Sequence, residues 1–145
     1  MSAGGYKADI VSQEVWRALG EDSEALLVDV RSQAEWTFVG VPDLTSIGKE
    51  AILLEWQSYP GMMCNTDFVS ELRRAVGARG AGDETALFFL CRSGGRSAAA
   101  AAAMTAAGYR SCFNVADGFE GRLDVTRHRG VSDGWKAAGL PWVQS

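Results

Sequence analysis

Short runs of hydrophobic residues recur along the chain, and three of them predict buried strands, at 25–30, 85–90 and 112–116. Strands that are covered on both faces of a parallel sheet carry apolar residues in continuous runs, without the alternation of a half-exposed strand. The run 85–90 is the strongest of the three. A weaker pattern predicts another short strand at 44–47, and 51–56 is apolar but too short to assign from its period.

Segments with the apolar spacing of helices lie between these runs. Ser32 with Glu35 three residues later is a capping-box pattern, which predicts a helix directly after the first strand. A turn is predicted at 59–61, and Gly108 stops an alanine-rich segment of high helix propensity. N-cap residues and glycine stops predict four helices. The first covers 12–19, and the second runs from 33 to the break at 40–43. The third runs from a cap at Asn65 or Thr66 to 76, and the fourth covers 96–107.

The alternation of strands and helices predicts an α/β fold with a mostly parallel sheet. In such sheets, ligands bind beyond the carboxyl ends of the strands. Asp29, Cys91 and Asp117 each lie at the end of a predicted strand or directly after one. We therefore expect these three side chains to gather at one edge of the sheet.

Composition narrows the class of protein. The chain has 145 residues, of which 47% are hydrophobic and 22% charged, and this predicts one globular domain over 1–145 and argues against a disordered or fibrous protein. The net charge of −4 argues against a general nucleic-acid binder. Because no apolar run is long enough to cross a bilayer and the start lacks the hydrophobic region of a signal peptide, we expect a cytoplasmic protein without membrane attachment.

The cysteines and the histidine exclude further classes of site. Cys64, Cys91 and Cys112 are an odd number and include no Cys-x-x-Cys pair, so neither a disulfide framework nor a zinc site is indicated. His128 is the only histidine, which leaves one candidate for any mechanism that needs a histidine base or ligand. The sequence therefore predicts no metal ion and no cofactor.

The segment Cys91–Ser97 carries the most specific chemistry. It reads Cys-Arg-Ser-Gly-Gly-Arg-Ser and lies between the strongest strand and the alanine-rich helix. Backbone N–H groups of such a loop, the positive end of the helix dipole and the charges of Arg92 and Arg96 all favour a thiolate at Cys91. Since the thiolate is the nucleophilic form of cysteine, Cys91 is a candidate nucleophile rather than an inert core residue.

These residues resemble the rhodanese family of sulfurtransferases. The resemblance extends from Leu27-Val28-Asp29-Val30-Arg31 with Glu35-Trp36, through the Cys91 loop and Asn114-Val115, to Gly118-Phe119-Glu120-Gly121 and the closing Gly139-Leu140-Pro141. It implies a five-stranded, mostly parallel sheet with helices on both faces. It also implies that Cys91 takes a sulfane sulfur from a donor and holds it as a persulfide until an acceptor removes it.

The resemblance also implies roles for the residues around Cys91. The persulfide and an anionic donor such as thiosulfate are expected to bind to the loop residues Arg92, Ser93, Gly94, Gly95 and Arg96. The expected sulfur acceptor is a thiol, a cyanide-like molecule or a protein. Four residues are expected in supporting roles. Asp29 and Arg31 fix the sheet edge, with Arg31 also a candidate for the pocket lining; Ser97 supports the loop; and Glu120 binds loop N–H groups.

Two other functions stay open at this point. In related phosphatases and arsenate reductases the loop between cysteine and arginine is one residue longer, so the Cys-x-x-x-x-Arg spacing here favours a single sulfur atom over a phosphate-sized oxyanion. The second of these functions is that of a non-catalytic interaction module. The intact cysteine and arginines argue against it.

Two segments need separate interpretation. The chain carries an inserted loop at about 122–134, which is predicted to be a solvated surface loop, with a cationic rim of Arg127, His128 and Arg129 at the pocket mouth as the alternative. Cys64 is the only candidate for a resolving thiol, whereas Cys112 is predicted to lie in the core.

Overall fold

The computed structural model describes residues 5–58, 61 and 63–144. The predicted turn at 59–61 therefore lies largely outside the described residues. The helices and strands in chain order are β1 (Ala8–Ile10), α1 (Ser12–Glu21), β2 (Leu26–Asp29), α2 (Gln33–Val39), β3 (Val41–Pro42), a 3-10 helix (Thr45–Ile47), β4 (Ile52–Leu53), β5 (Gln57–Ser58), β6 (Met63–Cys64), α3 (Phe68–Ala78), β7 (Leu87–Leu90), α4 (Gly95–Ala106), β8 (Cys112–Val115) and β9 (Trp142–Val143).

Five strands form one sheet in the order β1-β8-β7-β2-β4, and every neighbouring pair in it is parallel. The carboxyl ends of β2, β7 and β8 therefore meet at one edge, with Asp29 opposite Leu90 and Phe89 opposite Asn114. Two small antiparallel pairs, β3 with β9 and β5 with β6, lie outside this sheet. The prediction of a five-stranded parallel α/β fold is confirmed.

Helices cover both faces of the sheet, because its central strand is apolar on both sides. Leu87 and Phe89 of β7 pack with α3 and α4 in one core, and Phe88 and Leu90 pack with α1 in the other. The small alanines of α4 let this helix lie close to the sheet, with Ala100, Ala101 and Met104 fully buried. No helix in the described part of the chain has the length and hydrophobicity that a membrane span needs.

The predicted capping box of α2 is present. The Ser32 hydroxyl accepts from the Glu35 N–H, and the Glu35 carboxylate accepts from the Ser32 N–H. The short strand predicted at 44–47 is wrong, because this segment forms the 3-10 helix and ends at Gly48 in a left-handed conformation. A segment of four residues without a partner strand gains no ladder hydrogen bonds, and the local turn satisfies its backbone instead.

The start of α1 also differs from its prediction. Ser12 is the first residue of the helix rather than its cap. The capping carboxylate comes from the loop after the neighbouring strand β8, 105 positions along the chain, since Asp117 Oδ1 accepts from the Ser12 N–H at 2.9 Å and from the Ser12 hydroxyl at 2.8 Å. Asp117 therefore anchors a helix N-terminus, where a negative charge is stabilising.

Candidate active site at the carboxyl edge of the sheet

Cys91 directly follows the central strand β7, and its side chain is only 1% exposed. The N–H of Gly94 donates to Cys91 Sγ at 3.1 Å, at the point where the twelve-residue helix α4 begins. Gly94 has φ +108°, and a Cβ there would lie 2.6 Å from the Ala116 carbonyl oxygen. Only glycine allows this turn, so the sequence of the loop aims a backbone donor and a helix N-terminus at the sulfur.

A second hydrogen-bond chain reaches Cys91 from the neighbouring strands. Ser97, one turn into α4, lies with its Oγ 3.1 Å from Cys91 Sγ and donates to Asn114 Oδ1 at 2.5 Å. The Asn114 amide nitrogen in turn donates to Asp9 Oδ1 at 3.0 Å. Ser97 and Asn114 are both buried, so this chain fixes the sulfur within a dry polar network.

Arg96 forms a two-point ion pair with Glu35. Its two terminal nitrogens donate to the two Glu35 carboxylate oxygens, at 2.6 and 2.9 Å, with both side chains largely buried. Burial by itself would raise the pKa of Glu35, but the hydrogen bonds from Arg96 and Ser32 outweigh burial and lower that pKa to about 2. The same hydrogen bond raises the pKa of Arg96. The charge of Arg96 is thus already matched within the protein.

Arg92 and Glu120 complete a cleft of about 660 Å³ in front of the loop. Arg92 is exposed, and Ser93 and Gly95 are exposed beside it in the loop. The prediction that loop N–H groups donate to the Glu120 carboxylate is wrong, because among the described residues that carboxylate accepts no hydrogen bond. It is the Glu120 backbone N–H that donates, to the Arg92 carbonyl. The lining of the cleft is Ser32, Ala34, Glu35, Phe38, Val39, Gln57, Arg92, Arg96 and Glu120.

The backbone of the loop after β8 donates hydrogen bonds to the backbone of the Cys91 loop. Phe119 N–H donates to the Cys91 carbonyl at 2.8 Å, and Glu120 and Gly121 N–H both donate to the Arg92 carbonyl at 3.1 Å. Gly118 has φ +67°, and a Cβ there would collide with the Arg92 carbonyl and the Ser93 nitrogen. Glycine at this position lets the two loops touch through their backbones.

Asp29 and Arg31 form a fully buried ion pair beside the site. Arg31 Nη2 lies 2.6 Å from Asp29 Oδ2, and Nε lies 2.9 Å from Asp29 Oδ1. Arg31 also donates to the Gly40 carbonyl at 2.7 Å and stacks over the Phe119 ring at 4.2 Å. The expectation that Arg31 lines the pocket is wrong, because its side chain is wholly enclosed and the pair ties the end of α2 to the loop after β8.

Asp29, Cys91 and Asp117 lie at the carboxyl ends of β2, β7 and β8, at one edge of the sheet as expected, but their side chains have different partners. Asp29 lies opposite the end of β7 but is occupied by Arg31. Asp117 binds Ser12 and the Gly134 N–H instead of turning toward Cys91. Of the three, Cys91 is the one whose side chain accepts from the N–H at the start of α4.

Sequence reasoning missed two residues that shape this site. Glu35 was recognised only as part of a capping box, and Asn114 only as part of a motif. The signal for Asn114 is a polar side chain inside an apolar strand, next to the edge where Cys91 emerges. For Glu35 no local signal exists, because its partner Arg96 lies 61 positions away along the chain.

The remaining candidates make no hydrogen bond to Cys91 Sγ among the described residues. Cys112 is buried in β8, and burial raises the pKa of its thiol, as suits a core cysteine. Cys64 is exposed on β6, opposite Gln57, which lines the cleft. None of the residues 122–134 lines the cleft, and Arg127 and His128 are exposed, which agrees with a solvated loop and not with a rim.

Contacts to the Gly121 backbone close the base of that inserted loop. Gly121 packs against Asp133, and Arg129 donates to the Gly121 carbonyl at 2.7 Å.

Within the described ranges, no group of three or more His, Cys, Asp and Glu side chains is arranged to hold a metal ion.

Comparisons with known proteins place this geometry in context. A family model described as the STR4 middle domain matches residues 8–145. An uncharacterized protein of Rickettsia conorii is 38% identical over 134 residues, which cover 92% of this chain and 95% of that protein. The chloroplastic rhodanese-like domain-containing protein 4 of Arabidopsis thaliana is 26% identical over 135 residues, which cover 92% of this chain and 25% of that protein.

Two solved structures are also similar. The crystal structure of Rv0390 from Mycobacterium tuberculosis is 46% identical, with a TM-score of 0.85, and the match covers 97% of this chain and 99% of that one. The solution structure of the polysulfide-sulfur transferase homodimer from Wolinella succinogenes is 18% identical, with a TM-score of 0.58 over 99% of this chain and 83% of that one. The latter is a likeness of fold.

Proposed function

Because the chain belongs to the rhodanese-like family, we propose that it is a sulfurtransferase in which Cys91 takes a sulfane sulfur from a donor and passes it to a thiophilic acceptor. The observation that carries this proposal is the position of Cys91 Sγ, 3.1 Å from the Gly94 N–H at the start of α4. A backbone donor and a helix N-terminus stabilise negative charge at the sulfur, both on the attacking thiolate and on the persulfide.

The reaction has two steps. In the first, the Cys91 thiolate attacks the outer sulfur of the donor, the donor's S–S bond breaks, and the electron pair leaves on the remainder, which is sulfite when the donor is thiosulfate. In the second, an acceptor such as a thiolate or cyanide attacks the outer sulfur of the persulfide, and the Cys91 thiolate is regenerated. Splitting the transfer in this way is covalent catalysis.

The neighbours of Cys91 support these steps without entering them. Ser97 is placed to hold the sulfur in line with the loop N–H groups. Contacts from Phe119 and Glu120 to the carbonyls of Cys91 and Arg92 keep the loop from opening. The site is thus organised before the donor arrives, which is the arrangement that catalysis by fixed dipoles requires.

The experiment is to incubate the purified protein with thiosulfate and measure its intact mass without reductant. We expect the gain of one sulfur atom on the unmodified protein and on Cys64→Ser, and no gain on Cys91→Ser. Cys64→Ser is the matched control, because it removes an exposed thiol close to the cleft by the same substitution.

The other functions give different results in the same experiment. An unchanged mass with several sulfur donors, together with hydrolysis of an aryl phosphate that Cys91→Ser abolishes, would replace the proposal with phosphatase chemistry. An unchanged mass without any hydrolysis would indicate an interaction module.

A further inference from the structure

The charges that line the cleft cancel, and from this we infer that the sulfur donor is an organic persulfide with an apolar carrier rather than a dianion such as thiosulfate. This inference rests on the proposed function and adds the chemical class of the donor. It differs from the expectation drawn from the sequence, in which two loop arginines attract an anionic donor.

Arg96 contributes no net charge to the cleft. Glu35 holds both of its terminal nitrogens, at 2.6 and 2.9 Å, and Glu35 is itself fixed by the Ser32 N–H and hydroxyl. A donor oxyanion would have to displace a carboxylate that is already bound at two points. A two-point pair of this kind is among the strongest polar contacts in proteins, so the exchange is unfavourable.

Arg92 and Glu120 also line the cleft, and their opposite charges cancel. Just outside the lining, Lys136 interacts with Glu120, while Glu55 accepts from the Gln33 N–H at 2.8 Å, which again places one charge of each sign nearby. A dianionic donor therefore meets no net positive charge among the side chains that line its approach.

Apolar side chains form the rest of the wall. Ala34, Phe38 and Val39 of α2 line the cleft, and the Phe38 ring is 76% exposed. An exposed phenyl ring in the wall of the cleft is suited to contact an organic group that a sulfur donor carries. Thiosulfate has no such group, whereas a persulfide R–S–SH carries one.

The transfer from a persulfide balances without a further reactant. The Cys91 thiolate attacks the outer sulfur of R–S–SH, the bond between the two donor sulfurs breaks, and the electron pair leaves on the carrier as R–S⁻. The hydrogen stays on the transferred sulfur, so Cys91 becomes Cys91–S–SH.

The test compares two donors that share the same reacting group. The carrier group of benzyl persulfide is uncharged and apolar, whereas the carrier group of mercaptosuccinate persulfide has two carboxylates. We expect Cys91 to gain sulfur about ten times faster from benzyl persulfide, as measured by intact mass against time. Phe38→Ala should reduce this preference severalfold. An equal rate, or a preference for the charged donor, would overturn the inference.

A charge change in the wall gives an independent test. Glu120→Gln makes the lining positive and should raise the rate ratio of mercaptosuccinate persulfide to benzyl persulfide about fivefold, the size expected for one unit charge acting through water on two charges about 9 Å away. Glu24→Gln, an exposed position outside the cleft, is the matched control and should leave the ratio unchanged. An unchanged ratio in Glu120→Gln would count against the inference.

The two proposals fail in different ways. If no donor leaves sulfur on Cys91, the proposed function itself is wrong. If thiosulfate and the mercaptosuccinate persulfide load Cys91 faster than benzyl persulfide does, the sulfurtransferase function stands and the donor class is wrong.

Discussion

Ser97 donates its hydroxyl hydrogen to Asn114 Oδ1 across 2.5 Å, and this contact sets the direction of the bond between Ser97 and Cys91. The orientation of the Asn114 amide is fixed because its nitrogen faces Asp9 Oδ1 at 3.0 Å, and a carboxylate oxygen can only accept there. With its single hydrogen committed to Asn114, the Ser97 hydroxyl cannot also donate to Cys91 Sγ. Ser97 therefore gives no hydrogen bond that would stabilise negative charge on the sulfur while the contact to Asn114 is kept.

Replacing Asn114 should release this constraint. In Asn114→Ala the Ser97 hydroxyl is free to donate to the Cys91 thiolate, and a hydrogen bond to a charged group is worth enough to raise reactivity about tenfold. The measurement is the rate of Cys91 alkylation by iodoacetamide at neutral pH. The double variant Ser97→Ala/Asn114→Ala should show no gain over Ser97→Ala, and a gain there would assign the effect to altered access instead.

Gly118→Ala should disable sulfur uptake by pushing the Arg92 peptide out of place. The added Cβ would collide with the Arg92 carbonyl, which anchors the loop through the Glu120 and Gly121 N–H groups. Gly80→Ala is the matched control, since Gly80 has a similar φ of +74° but nothing within 4 Å of an added Cβ. We expect a loss of about 1 kcal/mol of stability for Gly80→Ala from its φ alone.

The measurements for this pair are urea unfolding and sulfur uptake by intact mass. Gly118→Ala should lose at least about 3 kcal/mol of stability and most of the uptake rate, because the collision adds to the backbone strain. Equal effects of the two substitutions would show that the close approach of the loops has no role.

Breaking the buried pair of Asp29 and Arg31 should destabilise the fold strongly. Asp29→Ala leaves an uncompensated guanidinium in the core, for which a loss of about 3 to 5 kcal/mol is expected. Arg31→Lys should recover little, since lysine cannot reproduce the contacts to both carboxylate oxygens and the Gly40 carbonyl. The check is the free energy of unfolding in urea; full stability of Arg31→Lys would contradict the two-point geometry.

Stability should fall in acid through Glu35. Its pKa is lowered from 4.5 to about 2, so the folded state binds a proton less readily than the unfolded chain. The contribution of Glu35 to the free energy of unfolding is complete above pH 4.5 and is lost as the pH falls from 4.5 through about 2. With solvent screening taken into account, this contribution is about 2 kcal/mol. Urea midpoints measured across this window should fall more steeply for the unmodified protein than for Glu35→Gln. Parallel curves would contradict the assignment.

The sequence by itself determined the features that depend on neighbours along the chain. The continuous apolar run ending at Leu90, the capping box of Ser32 and Glu35, and the glycines after Cys91 act through local backbone preference and hydrophobic period. These interactions are present whatever the rest of the fold does. They were enough to predict a mostly parallel sheet with intervening helices and the position of Cys91 between a strand and α4, whereas the five strands and the helices on both faces came from the family resemblance.

Only the tertiary structure decided which charges and hydrogen bonds meet around the sulfur. Glu35 reaches Arg96 from 61 positions away, and Asn114 reaches Ser97 because β8 lies beside β7 in the sheet. Asp117 likewise turned out to cap α1. Side-chain partners over such separations are set by strand order and helix packing, which no local pattern specifies. The sequence predicted a positively charged loop, whereas the cleft in the folded protein is lined by equal numbers of positive and negative side chains.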